Sequence, residues 1–268
     1  DPHPLTVTHA RETPRILSTI TERIELFGRT TVDGVFVLEF NEATRQIEYR
    51  DFIQRYFLDA MDMRELVIGY DCHFGHRRDG SPERVAEEGK QRGFGVTIVP
   101  PVRVDAEIVS STTIRKTIAS ANLERANRLL GHAYLVRGRV VQGQGRGRDL
   151  GFPTANVAVA DPAKLWPPTG VYAVRAGWRG WIHDGMMNVG RAPTMKRGHA
   201  DEIEVHLFDF NHHIYGEELS IWCEAYMRQE QRFPTVTALI DQLNEDRRVA
   251  REVLARDPMD RDPVDFRG

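Results

Sequence analysis

Two different rhythms of apolar and polar positions divide this chain. In the first half, Gly34-Val-Phe-Val-Leu-Glu-Phe40, Glu65-Leu-Val-Ile-Gly69 and Gly95-Val-Thr-Ile-Val99 are short apolar runs, the mark of strands buried in a parallel sheet. Between the first two, Phe52, Ile53, Tyr56, Phe57, Ala60 and Met61 recur at helical spacing. Ser81-Pro82-Glu83 predicts a helix start, with an N-cap, a proline at the first position and an acid in the first turn. Strand and helix signals in alternation predict an α/β layer. Asn122 to Leu130 predicts a helix leading to a boundary near Gly131. Beyond it, short strand signals such as Val171 to Val174 and Ile203 to Leu207 are separated by glycine-rich turns. A helical pattern closes the chain, through Val236, Leu239, Ile240, Leu243, Val249, Val253 and Leu254. The prediction is an α/β domain over 1–130, then a small β-barrel with a C-terminal helix over 131–268. No Pro/Ser-rich linker separates the two.

Composition narrows the class. The 268 residues carry a formal net charge of −3, which argues against a bulk polyanion partner such as duplex DNA. The reading is no nucleic-acid partner and no membrane partner, because no apolar run has membrane-spanning length and no signal-peptide pattern is present. Cys72 and Cys223 read as reduced thiols of a cytoplasmic protein, although sequence alone leaves a disulfide open. The oligomeric state is not legible. The chain opens at Asp1-Pro-His-Pro4 without methionine, which gives the expectation of a fragment.

The densest chemistry lies at Gly143-Gln-Gly-Arg-Gly-Arg-Asp-Leu-Gly-Phe-Pro-Thr-Ala-Asn156. Closely spaced glycines (Gly143, Gly145, Gly147, Gly151) let the backbone turn through positive φ and approach an anion. Arg146 and Arg148 add forked donors suited to phosphate oxygens. Thr154 and Asn156 offer two oxygens on one face of a strand, which suits a hard cation such as Mg²⁺. Gly-Arg repeats also occur in flexible or RNA-binding segments, and Pro-Thr-Ala-Asn is compatible with an ordinary turn into a strand.

The wording of this stretch resembles the Gly-Arg-x-Leu-Gly-Phe-Pro-Thr-Ala-Asn signature of riboflavin kinases. Further resemblances follow in order: Pro168-Thr-Gly-Val-Tyr172, Asn188-Val-Gly-Arg-Ala-Pro-Thr194, Glu204-Val-His-Leu-Phe-Asp-Phe210 with Tyr215-Gly-Glu217, and Arg228-Gln-Glu-Gln-Arg-Phe233. The match runs from about Leu135 to about Leu254. It implies ATP and riboflavin as substrates, FMN as product, ATP phosphates under the Gly143–Arg148 loop, and Mg²⁺ held with help from Thr154 and Asn156. It also implies Glu204 as catalytic base. Glu204 alternates with Ile203 and Val205 and so faces away from the aliphatic side. Without the resemblance it reads as a surface strand acid in a salt bridge. Glu202 and Glu217 are the alternatives for the base.

In the first half, Ser110-Ser-Thr-Thr-Ile-Arg115 is a capped helix start whose N–H groups and dipole favour an anion. It is also compatible with plain capping. It resembles the Ile-Ser-Ser-Thr-x-Ile-Arg motif of nucleotidylyltransferases, with Ser110, Ser111, Thr112 and Arg115 as nucleotide-binding residues. Asp1-Pro-His-Pro4 and Ile68-Gly-Tyr-Asp-Cys-His-Phe-Gly75 resemble segments of the FMN adenylyltransferase domain of bacterial FAD synthetases, a Rossmann-like fold. Those proteins join an adenylyltransferase to a riboflavin kinase in this order. The resemblance therefore covers essentially the whole chain and implies FMN and FAD synthesis.

In that family an His-x-Gly-His turn precedes Asp-Pro-His-Pro. It does not occur in this chain, so FAD formation by the chain as given is not expected. His73-Phe-Gly-His76 matches the pattern literally but follows a different strand, and reads as unrelated to nucleotide binding. Cys72, His73 and His76 also invite a zinc reading, for which an exposed loop is the simpler account. The rival functions are a single-activity riboflavin kinase with a structural first half, and an RNA-binding β-barrel.

Overall fold

The computed structural model describes residues 15–143, 145–191 and 201–256. The chain divides into two compact units. Among the described residues one comprises Phe36–Val109, and the other comprises Arg15–Val35 with everything from Ser110 onward. The second unit thus begins with helix α1 (Ile20–Phe27). Thr19 and Glu22 form a capping box there, each side chain bonding the other residue's backbone N–H.

The first unit holds a parallel pair, β1 (Glu65–Gly69) and β2 (Gly95–Val99). Helix α2 (Pro82–Arg92) connects them, capped by the Ser81 hydroxyl and ended by Gly93 in the left-handed region. A parallel pair needs such a crossover. Two two-residue strands, β3 (Arg103–Val104) and β4 (Glu107–Ile108), form a separate ladder. The core of this unit gathers Tyr49, Ile53, Ile68, Val85 and Phe94. The helix expected around Phe52 is a turn over Tyr49–Phe52 running into a π-helical stretch, Ile53–Asp59. Its wider turns let Phe52 meet both Tyr56 and Phe57, with ring centroids 4.9 and 5.4 Å away.

One expected strand is absent. Gly34–Phe40 has no strand assignment, and Val35, Phe36 and Val37 are 42%, 62% and 48% exposed. A strand exists only through its neighbours, and this run is assigned to no ladder among the described residues.

In the second unit, helices α3 (Ser111–Ala119) and α4 (Leu123–Leu130) precede a closed barrel. Its six strands are β5 (Tyr134–Val141), β6 (Ala155–Ala158), β7 (Gly170–Trp178), β8 (Trp181–Arg191), β9 (Asp201–Leu207) and β10 (Glu218–Arg228). They close in the order β10-β5-β6-β9-β8-β7, so no edge is left open. Helix α5 (Val236–Arg256) packs Ala250 and Leu254 on the outer face, against Ala173 of β7 and Met186 of β8. The alternate residues Tyr172, Val174, Met187 and Val205 are at most 1% exposed and fill the interior. Both cysteines are free thiols, and burial pushes Cys223 up to about 12. No helix among the described residues is long and apolar enough to cross a membrane.

Candidate functional site

Strand register builds a polar row across the barrel's outer face. Asn156 on β6 faces Glu204 on β9, Glu204 faces Asn188 on β8, Asn188 faces Val171 on β7, and Val171 faces Arg228 on β10. Directly opposed residues of a ladder project to the same side, and this is the side that α5 covers in part. At the Arg228 end the guanidinium makes a two-pronged bond to Asp246 of α5, at 2.7 and 2.6 Å. The ring of Phe233 lies 5.9 Å from that guanidinium. Glu230 and Asn188 both lie over Gly190, where a Cβ would meet Glu230 Oε1 at 2.9 Å and Asn188 Nδ2 at 3.2 Å.

The Asn156 end meets the glycine-rich loop. Gly143 lies so close beneath the Asn156 amide that a Cβ would overlap it. A Cβ on Gly147 would overlap the Phe152 carbonyl oxygen and reach Thr154 Oγ1 at 3.4 Å. Gly145 (φ 74°) and Gly151 (φ 80°) stand in the left-handed region, which costs glycine no steric strain. Between them Arg146–Asp149 makes a single helical turn, closed by Phe152 N–H donating to Gly147 O at 2.8 Å. Arg148 is exposed on that turn, and Thr154 stands immediately before β6. Gly143, Gly147, Thr154, Asn156 and Glu204 therefore share one corner of the barrel.

Two supporting side chains, one of them inside the motif that begins at Glu204, were given no role by the sequence. His206, buried two residues past Glu204, bonds Pro153 O through Nδ1 at 2.8 Å. A carbonyl only accepts, so Nδ1 carries the proton. Burial pushes the imidazole below its ordinary value and keeps it neutral near pH 7. From α5, the Arg247 guanidinium lies 5.2 Å from the Phe152 ring centroid and brings positive charge to the loop. Asn188 and Glu230 did stand inside recognisable motifs, but nothing in the sequence gave them a part in the row.

Among the alternative acids, Glu217 precedes β10 and pairs with Arg179 at 2.9 Å; the bond from Arg179 holds its carboxyl below the usual range. Glu202 faces Gly190 in the backbone register, and its side chain lies outside the described residues. The Pro-Thr end of the motif beginning at Asn188 also lies outside them.

The other predicted group stands around one helix start. Ser110 caps α3 by accepting from Thr113 N–H at 3.2 Å, and Arg115 donates to the Thr112 hydroxyl at 3.2 Å. His73 and His76 bond the backbone carbonyls of Asp71 and Arg45 through Nδ1, at 3.0 and 3.3 Å. No group of three His, Cys, Asp or Glu residues suited to a metal occurs among the described residues. A separate surface pocket of about 360 Å³ is lined by Arg175, His183, Asp184, Phe208 and Arg251. Its cations are already paired, Arg175 with Glu224 and Arg251 with Asp209, each at 2.7 Å.

Comparison with known proteins finds two family models along the chain. The riboflavin kinase family model matches residues 130–254, and the FAD synthetase family model matches residues 1–113. The Listeria monocytogenes bifunctional riboflavin kinase/FMN adenylyltransferase is 35% identical over 257 residues, which cover 96% of this chain and 81% of that protein. The Pseudomonas fluorescens protein of the same name is 36% identical over 228 residues, covering 85% and 73%. A crystal structure described as a macrolide-efflux protein from Streptococcus pneumoniae superposes with a TM-score of 0.78 at 30% identity, covering 93% of this chain and 80% of that one. With such identity over most of both chains, the chain belongs to the bifunctional riboflavin kinase/FMN adenylyltransferase family.

Proposed function

We propose that the barrel transfers the γ-phosphoryl group of ATP to riboflavin, forming FMN, and that Glu204 is the base. The carrying observation is the corner where the glycine-rich loop, Asn156 and Glu204 meet. Phosphoryl transfer needs positioning and charge compensation more than covalent help from the protein. The loop through Gly143, Gly145, Arg146, Gly147, Arg148 and Gly151 would hold the phosphates. The Thr154 hydroxyl and the Asn156 amide oxygen are hard donors beside a carboxylate, a set that fits Mg²⁺. These two residues would hold the ion, which offsets phosphate charge when bound.

Riboflavin would enter from the Asn188 and Arg228 side, opposite the loop. Its terminal ribityl hydroxyl attacks the γ-phosphorus, the proton passes to a Glu204 oxygen, and the bond to the β–γ bridging oxygen breaks to release ADP. His206 holds the Pro153 carbonyl and so keeps Thr154 in line. In the other activity of the family, FMN is adenylylated to FAD; Ser110, Ser111, Thr112 and Arg115 would bind nucleotide there.

Incubation of the chain with riboflavin, ATP and Mg²⁺, followed by chromatography, is expected to yield FMN, and chelation of the metal to stop it. Folded protein that forms no FMN would refute the reading. A narrower expectation concerns Gly147→Ala. The new methyl would collide with the Phe152 carbonyl, and moving that peptide displaces Thr154. The KM for ATP should rise by about tenfold or more, since misplacement near 1 Å costs on the order of 100-fold. Riboflavin binding, read by flavin fluorescence, should stay near wild type.

A further inference from the structure

The FAD synthetase family match covers residues 1–113, yet Arg15–Val35 folds as part of the barrel unit. Backbone bonds tie its start to the run before β7: Ile16 N–H donates to Ala163 O and Leu165 N–H to Ile16 O, both at 2.8 Å. On α1, Glu22 is fully buried, and so is Lys164. The Lys164 ammonium donates to Glu22 Oε2 at 2.6 Å, to Leu17 O at 2.7 Å and to Leu135 O at 2.6 Å. All three of its donors are used. Glu22 Oε1 accepts from Arg137 N–H on β5 at 2.8 Å. One turn on, Glu25 accepts from the Ser220 hydroxyl of β10 at 2.7 Å. The Arg29 guanidinium then lies 4.4 Å from the Trp222 ring centroid.

Lys164 opens the run that leads to the Arg228 end of the polar row. Tyr134 donates to Leu165 O at 2.6 Å, Tyr172 donates to Pro168 O, and Val171 then faces Asn188. Burial lowers the Lys164 pKa, and Glu22 opposes that shift. An ammonium stays charged in such a place only with a carboxylate beside it.

The geometry points to a strap: residues 15–35 are a required part of the kinase barrel, and the Glu22 carboxylate is a positioning residue that acts through Lys164 on the flavin side of the row. Phosphorylation of riboflavin would then depend on residues outside the match to the kinase family. This rests on the proposed kinase reading for its activity arm alone.

The chain's four tryptophans, Trp166, Trp178, Trp181 and Trp222, all lie in the barrel unit, so tryptophan fluorescence reports its melting. In the full chain, Glu22→Gln and Lys164→Met are each expected to lower that transition by roughly 10 °C, because each leaves a buried group without its partner. The double variant should melt no lower than the weaker single variant. Single variants that melt with the wild type, or losses that simply add, would overturn the pairing. At 20 °C Glu22→Gln should raise the riboflavin KM about fivefold or more and leave the ATP KM unchanged, since the Gly143–Asn156 corner is not touched. An unaltered riboflavin KM would overturn the positioning role.

Hydrogen exchange on the wild-type chain needs no variant to fold. The amides of α1 should exchange with those of β5, in one cooperative opening. Exchange of α1 orders of magnitude faster than β5 would contradict the strap. If the wild-type chain forms no FMN, the kinase reading fails, while melting and exchange still decide whether the strap exists.

Discussion

Glu204→Gln is expected to slow FMN formation by about 10² to 10⁴-fold, the usual cost of losing a general base. The substitution keeps the shape of the side chain and its place between Asn156 and Asn188 in the register. Affinities for ATP and riboflavin should therefore stay within about threefold of wild type, because ground-state contacts survive when only a transition-state interaction is lost. Steady-state kinetics with a flavin-fluorescence titration separate the two quantities. Glu217→Gln is the control. Its carboxylate is engaged by Arg179 before β10, and its loss should leave turnover nearly unchanged. Wild-type turnover in Glu204→Gln with loss in Glu217→Gln would move the base to Glu217.

Thr154→Ala and Asn156→Ala are expected to reduce kcat/KM for ATP by about 100-fold or more each, because each removes an oxygen from the set that would hold the metal and its phosphates. Asn156→Ala has a second consequence. The amide packs directly on Gly143, so its removal frees the start of the glycine-rich loop as well as a donor. Raising Mg²⁺ should recover part of the Thr154→Ala loss and less of the Asn156→Ala loss. Riboflavin affinity should change little in either variant. An equal fall in flavin affinity would mean that the barrel itself is damaged.

Much of this architecture was legible because its causes are local. Ser81 and Pro82 start α2 through a side-chain cap and a preset φ. The alternation in Ile203, Val205 and Leu207 marks a strand with one buried face, and these three are at most 5% exposed. The spacing from Val236 to Leu254 marks an amphipathic helix, and Ala250 and Leu254 meet the barrel. Short motifs pointed to Gly143, Thr154, Asn156 and Glu204, whose proximity then follows from closing the barrel.

What was not legible depends on distant partners. Gly34–Phe40 has the composition of a buried strand but no assigned strand, since apolar content cannot supply a neighbour. The bond between Glu22 and Lys164 spans 142 positions, and nothing in the local pattern of α1 marks Glu22 as buried. His206 reads as one more polar position on an alternating strand, and its part appears only when Pro153 is brought against it. Arg247 is one charge among several on α5 and gains meaning only from the Phe152 ring beneath it.

The most direct test of the barrel as a riboflavin kinase built on Glu204 is transfer of label from γ-labelled ATP to riboflavin in a single turnover. The wild-type chain should place the label on the FMN phosphate. Glu204→Gln, loaded with both substrates, should do so at least about 100-fold more slowly. Labelled FMN appearing at the wild-type rate in Glu204→Gln, or not at all in the folded wild-type chain, would contradict the account.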